Sequence, residues 1–225
     1  MHKQTRRLFA GAALVGAALT PVAQAATLTI DFEPASLTGL YMAGESFSQG
    51  AFTMKVDFDA GIVDGAGALG GSAPTGNLTQ FYSQLNEGGL IMQRSDGALF
   101  DLKSFDAAFV PLSPAATGAT VMVAVGVYAN NSSAGVAWLF ASSATSNFPF
   151  SHYGNPLDFA TFNQVKQVEF FACAYDGVTV CSGPLHNNGQ FAIDNITASV
   201  PEPTTIAMVT LGLLGLALRG RRSIR

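Results

Sequence analysis

An all-β domain, a jelly-roll-like two-sheet β-sandwich, is what the middle of this 225-residue chain predicts. Short segments of alternating apolar and polar residues recur, and Gly, Ser, Pro and Asn fill the breaks between them. No window between Ala26 and Val200 carries a long amphipathic helical pattern. Eight or nine short strands in about 175 residues suit two packed sheets.

The strands follow in order. ATLTIDFE places Leu28, Ile30 and Phe32 on one side and Thr27, Thr29, Asp31 and Glu33 on the other. FTMKVDF, GLIMQR and ALFDLKSFDAAFV come next. ATVMVAVGVYA is apolar on both faces, which predicts the centre of a sheet. GVAWLFAS, QVKQVEFFACAY, VTVC and QFAIDNITAS complete the series. The run Gly61 to Gly76 is expected to be a surface loop. Within it, GAGALG (65–70) matches G-x-G-x-x-G but lacks a strand before and a helix after, so it makes no dinucleotide site. Of the 17 phenylalanines, 16 lie beyond residue 25. Each contributes about 2–3 kcal/mol when buried, enough for a core that needs no cofactor.

Charge separates the middle from the ends. Between Ala26 and Val200 only Lys55, Arg94, Lys103 and Lys166 are basic, against 14 acidic residues. Such a surface repels phosphate backbones, which excludes nucleic acid as a partner. Residues 1–25 read as a signal peptide: Lys3, Arg6 and Arg7 precede an apolar stretch, and Ala23-Gln24-Ala25 forms an A-x-A cleavage site. The pair Arg6-Arg7 leaves both the general and the twin-arginine export routes open. The mature chain then begins at Ala26, with the ectodomain over 26–199.

The segment 200–225 is a second apolar element. Thr204 to Leu218 is free of charge, and as a helix of about 1.5 Å per residue it reaches roughly 22 Å, enough to cross a thinned bilayer. The arginines behind it hold that end in the cytoplasm, so the domain faces outward. Pro201 and Pro203 make the joint between domain and helix stiff and extended.

Pro201-Glu202-Pro203, an apolar helix and the cluster Arg219, Arg221, Arg222 in fixed order resemble the PEP-CTERM sorting signal of Gram-negative bacteria. The resemblance implies recognition by an exosortase-type membrane protease, cleavage near the Pro-Glu-Pro motif, and passage from the inner membrane to the cell surface or extracellular matrix. Gln190, Phe191 and Asp194 resemble the motif of the QFxxD-type subgroup. The opening Asp31-Phe32-Glu33 and closing Ile193-Asp194-Asn195-Ile196 also resemble jelly-roll carbohydrate-binding modules. That second resemblance implies a structural calcium on Glu33 and Asp194.

Read on its own, Asp194 alternates onto the same face as Ala192, Ile196 and Ala198. A carboxylate there needs either backbone donors or a cation such as calcium, and both readings stand. Export makes a Cys173–Cys181 disulfide the expectation, worth about 2.6 kcal/mol in the chain-entropy model. A two-residue Asp176-Gly177 turn would set Cys173 one position off Cys181, so the pair needs a longer or bulged turn. Tyr153, in the Gly/Pro-rich stretch PFSHYGNP, is the candidate stacking platform for an exopolysaccharide, whereas Trp138 belongs to an apolar strand and to the core. No G-x-S-x-G, H-E-x-x-H or S-x-x-K string occurs, and nothing singles out an acid pair. The expectation is a non-catalytic surface or biofilm protein, structural or adhesive. A carbohydrate-binding module is the first alternative and a secreted hydrolase the second.

Overall fold

The computed structural model describes residues 25–86, 88–110, 119–140, 148–175 and 189–200. Residues 26–200 form one compact unit. The expected signal peptide, the apolar helix 204–218 and the arginine cluster lie outside the described residues, as do Cys181 and the strand VTVC.

Two antiparallel sheets make a sandwich. One contains β1 (Ala26–Ile30), β2 (Gly39–Met42), β5 (Ala60–Asp64), β6 (Phe81–Leu85), β8 (Asp101–Val110), β11 (Ser151–Tyr153) and β13 (Gln190–Val200). Its order is β11-β8-β13-β6-β5-β2, with β1 paired to the C-terminal half of β13. The other holds β3 (Ser46–Gln49), β4 (Phe52–Asp57), β7 (Gly89–Arg94), β9 (Ala119–Tyr128), β10 (Ser133–Leu139) and β12 (Val165–Tyr175), in the order β10-β9-β12-β7-β4-β3. A single helical turn, α1 (Pro156–Phe159), is capped by the Asn155 side chain and precedes β12. The expected sandwich is therefore the observed one, and β13 continues to Val200, one residue past the expected boundary.

Inward-facing residues of both sheets meet in an aromatic core. Phe32, Phe52, Tyr82, Phe100, Phe105, Phe109, Phe162, Phe170 and Phe191 are all buried there. Phe105 sits at its hub, with Trp138, Tyr153, Phe159 and Phe170 around it at 5.3–5.7 Å between ring centroids. Edge-to-face packing of this kind adds about 0.5–1.5 kcal/mol per pair beyond burial.

Three expectations change. The run Gly61–Gly76 begins inside β5, where Val63 is fully buried, and continues as 3-10 turns over Ala66–Ser72, with Ala66 and Leu69 against Phe81 and Val110. It reads as loop because its glycines hide a strand. Gly61 is required there, since a Cβ would lie 2.1 Å from the Tyr82 hydroxyl. Strand β9 is one position in from the sheet edge instead of central. Both its faces are apolar because Met122 and Ala124 enter the main core, while Val121 and Val123 pack outside the sheet with Phe171 and Cys173.

The third change concerns β13. Phe191 and Ile193 face the core, and so do Ile196, Ala198 and Val200. That pattern needs one extra residue, and the register with β8 does shift between Asp194 and Thr197, where Asn195 takes φ +49°. The bulge reverses the alternation. Asp194 is thus not on the face of Ile196 and Ala198; it shares the outer face with Ala192, whose neighbours are Phe81 and Val110.

Candidate functional site

The bulge turns both Asp194 and Asn195 outward and gathers polar groups from four parts of the chain. Register places Asp194 opposite Asp106 on β8. Asp194 is only 1% exposed. Its Oδ2 accepts from Asn77 Nδ2 at 2.7 Å and its Oδ1 from the Asn195 backbone N–H at 2.7 Å. Asn77 is itself held by the Thr79 N–H and hydroxyl, both donating to its Oδ1. Asn195 Nδ2 donates to Asp106 Oδ2 at 2.8 Å, and Asp106 Oδ1 lies 2.7 Å from His152 Nδ1 on β11. Glu33 accepts from the Gln80 N–H at 3.2 Å.

Burial pushes the Asp194 carboxyl up to about 7. The Asn77 and Asn195 donors pull the other way, and the charges of Glu33 and Asp106 raise it further. A carboxyl so placed holds its proton near neutrality unless a cation takes its place. The oxygen donors of Glu33, Asp106 and Asp194 have the chemistry of a hard-cation site. Asp194 nevertheless has a donor on each oxygen, and no group of three or more His, Cys, Asp or Glu side chains among the described residues is placed to hold a metal ion.

A second acid pair lies on the outer face of the other sheet. Asp57 of β4 and Glu169 of β12 flank Gly89 of β7, which puts no side chain between them. The two carboxyl groups are near enough to perturb one another. Burial raises both, and the Asp57 charge raises Glu169 further.

The remaining expected site residues fall as follows. The Tyr153 ring packs against Phe105 and Trp138 at 5.3 and 5.9 Å, and its hydroxyl donates to the Leu139 carbonyl. Burial lifts that hydroxyl to about 12. Trp138 stacks on Phe159 at 5.5 Å and donates its indole N–H to Asp158. Gln190 and Phe191 open β13, with Phe191 fully buried beside Tyr82. Cys173 is buried on the outer face of β12, opposite Val121 of β9. The Asp106–His152 contact had no signal in the sequence, because 46 residues separate its members.

The first and last strands of the sandwich meet in one pair. Ala26 pairs with Val200, Leu28 with Ala198 and Ile30 with Ile196. Val200 is buried, and Pro201 follows it in the chain with no intervening residue.

Residues 199–222 match the PEP-CTERM protein-sorting motif. No curated protein matches the chain in sequence. Among solved structures, a DUF4465 family protein from Bacteroides caccae is similar with a TM-score of 0.53 at 12% identity, covering 77% of this chain and 98% of that one. This likeness shows the shared sandwich fold. The CBM22-1 xylan-binding domain from Paenibacillus barcinonensis Xyn10C covers 78% of this chain and 94% of its own, at a TM-score of 0.32 and 9% identity. CtCBM11 covers 82% and 99%, at a TM-score of 0.30 and 13% identity.

Proposed function

Because the chain ends in a PEP-CTERM protein-sorting motif, which indicates export and membrane-anchored sorting, we propose that the sandwich is a cargo domain delivered to the envelope or extracellular matrix. The carrying observation is that the matched residues begin on β13 itself. Ser199 and Val200 belong both to the last strand and to the motif, so the signal is joined directly to the folded domain. Pro201, Glu202 and Pro203 are the recognition segment, residues 204–218 the apolar helix, and Arg219, Arg221 and Arg222 the cytoplasmic stop. An exosortase-type membrane protease is the processing partner, and cleavage near the Pro-Glu-Pro motif frees the domain. The domain's own role is structural or adhesive, without catalysis, and outside the cytoplasm Cys173 and Cys181 form a disulfide.

Labelling of the precursor in cells lacking the protease tests the topology. A membrane-impermeant reagent is expected to reach an epitope placed before Ala26 and to leave one placed after Arg222 untouched. Equal reactivity at both ends would contradict the proposal.

A further inference from the structure

We propose that the free edge of β10 is a docking surface for the same edge of a second copy of this chain, the two strands pairing antiparallel across a two-fold axis. The inference concerns the sandwich alone and goes beyond the sorting reading.

Strand β10 ends one sheet, with β9 its only strand partner among the described residues. The Tyr128 N–H donates to the Ser132 carbonyl and the Phe140 N–H to the Thr120 carbonyl, each at 2.9 Å. These bonds fix the phase of the ladder. Even-numbered residues of β10 bond to β9, while Ser133, Gly135, Ala137 and Leu139 aim their N–H and C=O groups away from the sheet. The Leu139 carbonyl accepts from the Tyr153 hydroxyl at 3.3 Å. The other groups of this row have no hydrogen-bond partner among the described residues. The same four residues are exposed, Leu139 by 65%.

Sheet edges are normally guarded by charge, proline, a bulge or shortness. β10 has none of these, being the seven residues SAGVAWL in unbroken register with β9. The edge strands β2, β3 and β11 are three or four residues long, and the Glu45 carboxylate takes the Met42 N–H of β2 at 2.7 Å.

Two observations select a second copy as the occupant. The strand complements itself. Centred on Val136, antiparallel pairing sets Ser133 against Leu139 and Gly135 against Ala137, so every outward row meets an outward row. On the core side Trp138 then falls beside Ala134, large against small. Charge makes the same choice. Between Ala26 and Val200 there are 14 acidic residues against four basic ones, so two copies repel over most of their surface. Residues 107–157, which include the β9–β10 hairpin, contain no Asp, Glu, Lys or Arg. At one end of β10 Trp138 donates to Asp158 at 3.0 Å; at the other, Asn131 accepts from Lys166. Antiparallel pairing brings the acidic end of each copy beside the basic end of the other.

One strand pair is smaller than the interface of a permanent dimer, so the test traps the contact covalently. The full chain in detergent carries Val136→Cys or Ser133→Cys, is oxidised, and its disulfide-linked dimer is read above that of the parent, which keeps Cys173 and Cys181. The proposed register puts the two Val136 Cα atoms about 4.5 Å apart, within disulfide reach, and the two Ser133 positions roughly 20 Å apart. Val136→Cys is expected to give about fivefold more linked dimer than Ser133→Cys. Adding Ala137→Pro, which removes an outward N–H and leaves the β9 ladder intact, is expected to cut that yield about fivefold. Ala137→Glu is expected to cut it too, by setting two carboxylates diagonally across the axis, and mixing with the Ala137→Lys chain to restore it. Equal yields at the two cysteine positions, or a yield that neither Ala137→Pro nor Ala137→Glu lowers, would overturn the pairing.

Discussion

Replacing Gln84 with leucine is expected to destabilise the sandwich by about 3–4 kcal/mol, more than most single changes do. Gln84 is fully buried in β6. Its amide donates to the carbonyls of Phe58, Ala60 and Leu85 at 3.2, 2.9 and 3.2 Å, and its Oε1 accepts the Tyr82 hydroxyl at 2.5 Å. Leucine fills a similar volume but leaves that hydroxyl without its acceptor and removes the amide's donations to those carbonyls. Each buried orphan costs about 1–3 kcal/mol, and the hydroxyl has no way out, because its ring lies over Gly61. Burial already holds the Tyr82 hydroxyl above its ordinary range, so ionisation offers no relief. Thermal denaturation should show a midpoint roughly 10 °C lower, at about 2–4 °C per kcal/mol for a domain of this size. A fall of under 2 °C would mean that water or relaxation satisfies the network.

The second large effect is a pH dependence set by Asp194. Burial in the fold raises its carboxyl from the ordinary 3.8 to about 7. Because folding raises this value, the protonated form is favoured in the native state. The stabilisation is complete below about pH 3.8 and is lost as pH rises through 7. Glu33 and Asp106 act in the same direction, and Asn77 and the Asn195 N–H oppose them. Between pH 5 and pH 8 the protein should lose about 2–3 kcal/mol from this group. Asp194→Asn cannot ionise, so its unfolding free energy should change much less over the same range and should exceed that of the parent at pH 8. Chemical denaturation at several pH values measures both. Since both Asp194 oxygens already have donors, EDTA should leave the midpoint unchanged at each pH. A calcium-dependent rise at pH 8 that Asp194→Asn abolishes would show a cation there instead.

How much of this was legible in the sequence depends on which physical signal each element carries. A strand with a clean alternation, such as Phe52–Asp57, is readable because one face is core and the other is more open to solvent. Phe81–Leu85 is not, since Ser83 and Gln84 are fully buried and read as loop residues; only the hydrogen bonds around them explain their place. Gly39–Met42 and Ser46–Gln49 are short edge strands with too few apolar positions to set a period. Asp194 could be singled out as a carboxylate in an apolar strand, but its face could not. The bulge at Asn195 leaves no mark in a string of letters, and its partner Asn77 lies 117 residues away. The acid pair Asp57–Glu169 joins strands that only the sheet order brings together. By contrast the sorting motif is local and linear, which is why it could be read without a fold at all.

The most direct measurement is mass spectrometry of the C-terminus of the protein recovered from the surface or matrix of its own cells. The proposal predicts a chain that begins at Ala26 and ends at or shortly after the Pro201–Pro203 segment, with Val200 retained because it is paired in the sheet. A recovered chain that still carries residues 204–225 would contradict it and leave a permanent membrane anchor.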